Sequence, residues 1–221
     1  MKLRNAKMLQ LIIVVFLASV TCGAVKYAYA YDKEAVRHYN RGLDLMADNN
    51  ARRAVTEFKK ALEVEPFFAE AVFNLGVIYQ NRGDSDSALA EYEKAISIDQ
   101  NDAEIFRNIG LLYIKRKDYD AAVKYFYEAL FLDPEDNDTR YYLADTLRLA
   151  GRYDESLKEV SELIDRDPDG PEPYLLLGII YEKKKMPVEE ILVCYKTYIS
   201  LGGKNKQVKE LVRRLEDEVE Y

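Results

Sequence analysis

An all-α solenoid of helical hairpins is the fold class this sequence predicts, and three observations predict it. Small residues return every 34 positions: Gly42, Gly76, Gly110, Ala144 and Gly178 share one register, Ala54, Ala88, Ala122, Ser156 and Glu190 a second, and Ala61, Ala95, Ala129, Leu163 and Thr197 a third. Within a period, apolar residues keep helical spacing on both sides of a polar turn: Ile105, Phe106, Ile109, Leu112 and Tyr113 precede Lys117-Asp118, and Ala121, Ala122, Tyr125, Phe126 and Ala129 follow it. After the last period, Val208, Leu211, Val212, Leu215 and Val219 form one more apolar stripe between charges. Self-similarity at this period belongs to arrays in which each unit buries its apolar face only by stacking on the next. Such arrays generally bind other molecules rather than transform them.

Composition fits one array of this kind. The chain has 221 residues, 48% hydrophobic and 32% charged, too polar for a multi-pass membrane protein. Its formal net charge is −7. Residues 1–30 hold Lys2, Arg4, Lys7 and Lys26 and no acid, so the remainder is more acidic still. A body of that charge repels phosphate backbones, which excludes nucleic acid as a partner.

Residues 1–30 read as a secretory signal peptide: a basic start, an apolar run from Met8 to Val25, and small residues at Ala28 and Ala30, which place cleavage after Ala30. Two alternatives stand beside it. The run is near the lower length limit of a membrane span, so the segment also reads as a retained anchor. Cys22 is the third possibility, a lipidated cysteine, although Ser19-Val20-Thr21 matches that motif poorly. Each exports the body, giving a periplasmic or secreted protein, or one membrane-anchored and facing the periplasm. Membrane contact is expected only if the segment is retained or Cys22 is lipidated. Cleavage leaves Cys194 as the one cysteine, so no internal disulfide forms. Cys194 shares a register with Phe58, Tyr92, Phe126 and Val160 and reads as an apolar filler.

Numbered from Ala35, the units run 35–68, 69–102, 103–136, 137–170 and 171–204, with residues 205–221 as a terminal helix. Asn50, Asp84 and Asp118 occupy one turn position, where a short polar side chain caps the second helix. Pro66, Pro134 and Pro168 end second helices, since proline cannot continue the hydrogen-bonded ladder. Gly or Ala in the first register is expected where two helix backbones approach most closely. Large residues fill the space between, each worth roughly 1.5–3 kcal/mol when buried.

Leu75-Gly76-x-x-Tyr79 and Ile109-Gly110-x-x-Tyr113, followed by the Ala, Ala and Pro positions, resemble the tetratricopeptide repeat over residues 35–204. No Trp occurs; His38, Val72, Phe106, Arg140 and Tyr174 stand at its position. Unit four departs at Ser156, Val160 and Leu163, and unit five at Glu190, Met186-Pro187 and Gly202. The resemblance implies a right-handed superhelical solenoid of five helix-turn-helix hairpins, with residues 205–221 as a C-terminal cap. It also implies a concave surface lined by first helices, and from it come the expected peptide-binding residues Tyr39, Phe73, Arg107, Leu111, Tyr141 and Arg148. Aromatic anchors with arginines suit a protein or peptide ligand bearing apolar side chains and some acids. The Lys/Asn clamp that grips a terminal carboxylate in some members is missing despite Asn74 and Asn108.

No enzymatic constellation emerges. His38 is the single histidine and sits in a packing register, too little for a zinc site or acid–base chemistry. Neither a Gly-rich phosphate loop nor a nucleophile elbow occurs. Asp133-Pro134-Glu135-Asp136-Asn137-Asp138 lacks the Gly and terminal Glu of a calcium loop and lies at a repeat junction. The expectation is an exported scaffold or adaptor without catalysis, cofactor or metal. Its alternative is a tethered or lipidated assembly factor for an envelope machine such as a pilus or secretion apparatus; a hydrolase is the remote third.

Overall fold

The computed structural model describes residues 31–219, and the N-terminal segment with Ala30 and Cys22 lies outside them. Eleven helices and no strand occur among the described residues. They are α1 Lys33–Ala47, α2 Ala51–Val64, α3 Ala69–Asn81, α4 Ser85–Ile98, α5 Ala103–Lys115, α6 Tyr119–Leu132, α7 Asn137–Leu149, α8 Tyr153–Arg166, α9 Pro171–Lys184, α10 Val188–Ser200 and α11 Lys206–Val219. Each packs on the next in the chain, and α5, α7 and α9 also touch across their neighbours, so the array is an all-α helical repeat solenoid. None of the described helices is long and apolar enough to cross a membrane.

One turn joins the two helices of every hairpin. Asn49, Gly83, Lys117, Gly151 and Lys185 are all left-handed, at the 34-residue spacing. The following N–H reaches back to close the turn, as in Asp118 to the Tyr113 carbonyl at 3.0 Å and Met186 to the Tyr181 carbonyl at 3.0 Å. This is a Schellman closure, which satisfies carbonyls that the helix end leaves free. Asp84 and Asp118 then accept from Ser87 and Ala121 N–H and start the second helix. Asn50 departs from expectation. It stands at the same N-cap with no side-chain hydrogen bond, leaving that helix capped by its backbone alone.

Glycine in the first register serves a purpose other than close backbone approach. A Cβ on Gly42 would lie 2.5 Å from the Phe58 ring, on Gly76 2.5 Å from Tyr92, on Gly110 2.6 Å from Phe126 and on Gly178 2.4 Å from Tyr195. Each ring comes from the second helix of the same hairpin and seats on the bare backbone. Unit four balances volume differently: Ala144 replaces the glycine and Val160 the ring, both fully buried. The Ser156 hydroxyl donates to the Ala144 carbonyl at 2.6 Å, which satisfies the one polar group in that seat.

The fifth hairpin corrects three register assignments. Met186 is an extra residue between left-handed Lys185 and the N-cap Pro187, so α10 starts one position late. Tyr195, not Cys194, therefore covers Gly178. Ile191 and Tyr198 likewise take the buried places expected of Glu190 and Thr197. Cys194 remains buried, its thiol pushed up to about 11 by desolvation, which keeps it an inert packing group. The slip also explains a glycine pair: Tyr198 lies where a Gly203 Cβ would be, and its hydroxyl accepts the Asn205 N–H at 3.2 Å. Val208 and Val212 of α11 close this cluster, with Leu211 and Leu215 half-buried beside them.

Candidate protein-binding surface

The six expected binding residues lie on four first helices, α1, α3, α5 and α7. Tyr39 of α1 is half-buried between the rings of Phe58 at 5.7 Å and Phe68 at 4.7 Å. Its hydroxyl accepts from Asn74 at 3.3 Å, and burial raises its pKa. Phe73 of α3 packs 5.7 Å from Tyr92, whose hydroxyl donates to Gln80 at 2.7 Å. Leu43 remains 37% exposed beside them, and Val77 is half-buried. The α1 and α3 part of the surface is thus mainly aromatic, aliphatic and amide in character, with the Glu70 carboxylate near Tyr39.

The α5 and α7 part is different because its charges are already paired. Arg107 bonds Asp136 at 2.9 Å and lies 3.4 Å from Glu104. Burial works to raise the Asp136 carboxyl, but hydrogen bonds from Thr139 and the Arg107 charge outweigh it and hold the pKa below its ordinary value. Arg148 holds Asp145 at 2.7 Å, one turn back on its own helix. Leu111 packs half-buried on the cluster of Phe126, Leu143 and Leu147, and Tyr141 on that of Leu176 and Ile180. Burial raises the Tyr141 pKa, with the Asp145 and Glu172 charges adding to it. The two arginines expected to meet a ligand carboxylate are therefore compensated within the protein, and the Arg148 charge also acts on Tyr141.

Three models of the tetratricopeptide repeat (TPR) family match residues 39–103, 91–124 and 113–180. The chain is a TPR protein. Solved structures with the same fold include YrrB, a TPR protein with an unusual peptide-binding site, at 23% identity and TM-score 0.73 over 86% of this chain and 98% of that one. PilF of Pseudomonas aeruginosa is similar at 23% identity and TM-score 0.70, covering 86% of each chain. MamA of Desulfovibrio magneticus RS-1 has 17% identity and TM-score 0.69, over 78% and 95%. No curated protein matches the sequence.

Within the TPR units the sequence reading missed a polar pair. His38 is more than a packing residue: its Nδ1 lies 2.6 Å from Glu57 Oε2, and Lys60 donates to Glu57 Oε1 at 2.9 Å. These hydrogen bonds, Lys60 first and then His38, hold the Glu57 carboxyl down at about 2. The same two repeat positions give Arg140 and Glu159, bonded at 2.8 Å in unit four. In unit two they hold Val72 and Glu91, and Glu91 Oε2 is buried with no hydrogen-bond partner. Aligning Glu57, Glu91 and Glu159 at the repeat period would have exposed this register. Among the described residues, no group of His, Cys, Asp and Glu converges as a metal site.

Proposed function

We propose that this TPR protein is an exported scaffold that recruits a peptide segment of a protein partner on its first-helix face. The fold itself supports a protein–protein interaction scaffold, the ordinary role of TPR arrays. The observation that carries the finer reading is the apolar surface that α1 and α3 share, with Glu70 the charge beside Tyr39. There Leu43 is 37% exposed beside half-buried Tyr39 and Phe73, an anchor set suited to apolar side chains. YrrB, whose peptide-binding site is unusual, supports peptide binding by analogy of fold. Pre-packed rings lose little freedom on association, which favours capture by a rigid array.

Export rests on the basic, apolar and small-residue pattern of residues 1–30. Crosslinked pull-down from the native envelope, comparing the natural chain with Leu43→Asp, tests capture. The expected result is loss of the captured partner with unchanged helical circular dichroism; equal capture by both forms moves the binding surface elsewhere. N-terminal sequencing of the same material should begin at Tyr31. A retained or lipidated N-terminus would replace the free scaffold by a tethered one.

A further inference from the structure

The edge formed by the hairpin turns carries one ion-pair geometry at two of its four junctions, and the first junction places two like charges there. The eighteenth residue of a unit meets the fourteenth of the next: Asp86 holds Arg116 between units two and three, and Asp154 holds Lys184 between units four and five. Between units three and four the fourteenth residue is Ala150, and Arg152 reaches Asp120 at 3.7 Å instead. At the first junction the same two positions are Arg52 and Arg82. Both are exposed, and neither forms an ion pair among the described residues. Asp48 and Asp84, on the flanking turns, do not pair with them; the Asp84 carboxylate takes the Ser87 N–H.

Two guanidinium groups at positions built for opposite charges repel each other and leave their donors to solvent. Units three and four differ: every arginine there, Arg107, Arg116, Arg140, Arg148, Arg152 and Arg166, sits in an ion pair. In units one and two, by contrast, Arg41, Arg52, Arg53 and Arg82 form no ion pair among the described residues, and Arg52 and Arg82 lie on the turn edge. That edge includes the C-terminal end of α3, the helix that carries Phe73 and Val77. Arg82 follows Gln80 and Asn81 at the end of α3, and Arg52 stands in the first turn of α2.

We propose that Arg52 and Arg82 form an anion-recognition edge that takes a carboxylate of the partner segment whose apolar side chains cover Leu43, Phe73 and Val77. This rests on the first-helix binding surface proposed above and names the partner's chemistry: an acidic, apolar segment of a protein. An unpaired arginine fork offers a bidentate site to a carboxylate, which paired Arg107 and Arg148 do not.

Isothermal titration of the full chain with a synthetic peptide of mixed Leu and Glu, and with its Leu and Gln counterpart, tests the edge. The natural protein should bind the Glu peptide roughly tenfold tighter, a preference that fades toward 1 M salt. Arg52→Asp should abolish the preference while melting no lower, because it recreates the Asp–Arg pair of the later junctions. Equal binding of the Glu peptide by Arg52→Asp, no preference in the natural protein, or no binding of either peptide overturns the proposal. Leu43→Asp separates the two readings. If it loses both peptides while Arg52→Asp changes nothing, the first-helix surface stands and the edge falls; if only Arg52→Asp matters, the edge stands and that surface falls. If Arg52→Asp instead lowers flotation with phosphatidylglycerol vesicles and leaves peptide affinity unchanged, the edge meets lipid and the proposal fails.

Discussion

Hairpins three and five bury the same kind of core through turns of different length. In the third, left-handed Lys117 is followed at once by the cap Asp118, and Phe126 lands on Gly110. In the fifth, Met186 intervenes, α10 begins one residue late, and Tyr195 lands on Gly178. One residue turns a helix by about 100°, so the inserted residue and the shifted apolar stripe belong together. What the array preserves is the seat of a ring on a small residue, and sequence register yields to it.

The largest effect should follow from breaking the agreement between turn and stripe where no shift compensates. Inserting one alanine after Tyr119 would rotate Ala122, Phe126 and Ala129 away from their buried places, at a cost on the order of 5 kcal/mol. Urea unfolding checks this; a midpoint like that of the natural chain would show that the turn absorbs the change. Gly110→Leu comes next, at about 3 kcal/mol, because Phe126 already occupies the space of the new Cβ. The same measurement decides it, and no loss would contradict the ring seat.

Smaller effects distinguish the ends of the array. Glu57 in unit one is held at about 2, below its ordinary 4.5, by Lys60 and His38. Its contribution is therefore complete above pH 4.5 and is lost as pH falls through about 2. Melts from pH 5 to 2 should fall less steeply for Glu57→Gln than for the natural chain; parallel curves would remove Glu57 from the acid response. At the smallest end, Lys117→Gly should add about 1 kcal/mol, since a side chain in the left-handed region is strained. A lowered melting temperature would contradict the turn assignment.

The hairpins were legible because helical spacing and the 34-residue period agree at most positions. Unit five misled for a specific reason. Cys194 fits a buried register as well as Tyr195 does, and nothing local reveals that the Met186-Pro187 turn is one residue longer. The glycine register was visible and its cause was not, because the ring that needs it lies 16 or 17 residues away on another helix. The expected binding residues were readable as positions on first helices. Their state was not, since Arg107 is neutralised by Asp136, 29 residues along the chain. Asn50 shows the limit of residue type: the position is a cap, yet its side chain makes no cap hydrogen bond.

The most direct test of the ring seat lies in unit four, where Ala144 and Val160 replace the glycine and the ring. A double-mutant cycle of Ala144→Gly and Val160→Phe, read by urea unfolding, should show each single change destabilising, by about 1 kcal/mol for the glycine and up to about 3 kcal/mol for the overpacked ring. Together they rebuild the seat of the other hairpins, so the double variant should recover at least about 1 kcal/mol relative to the sum. Strict additivity would contradict the account.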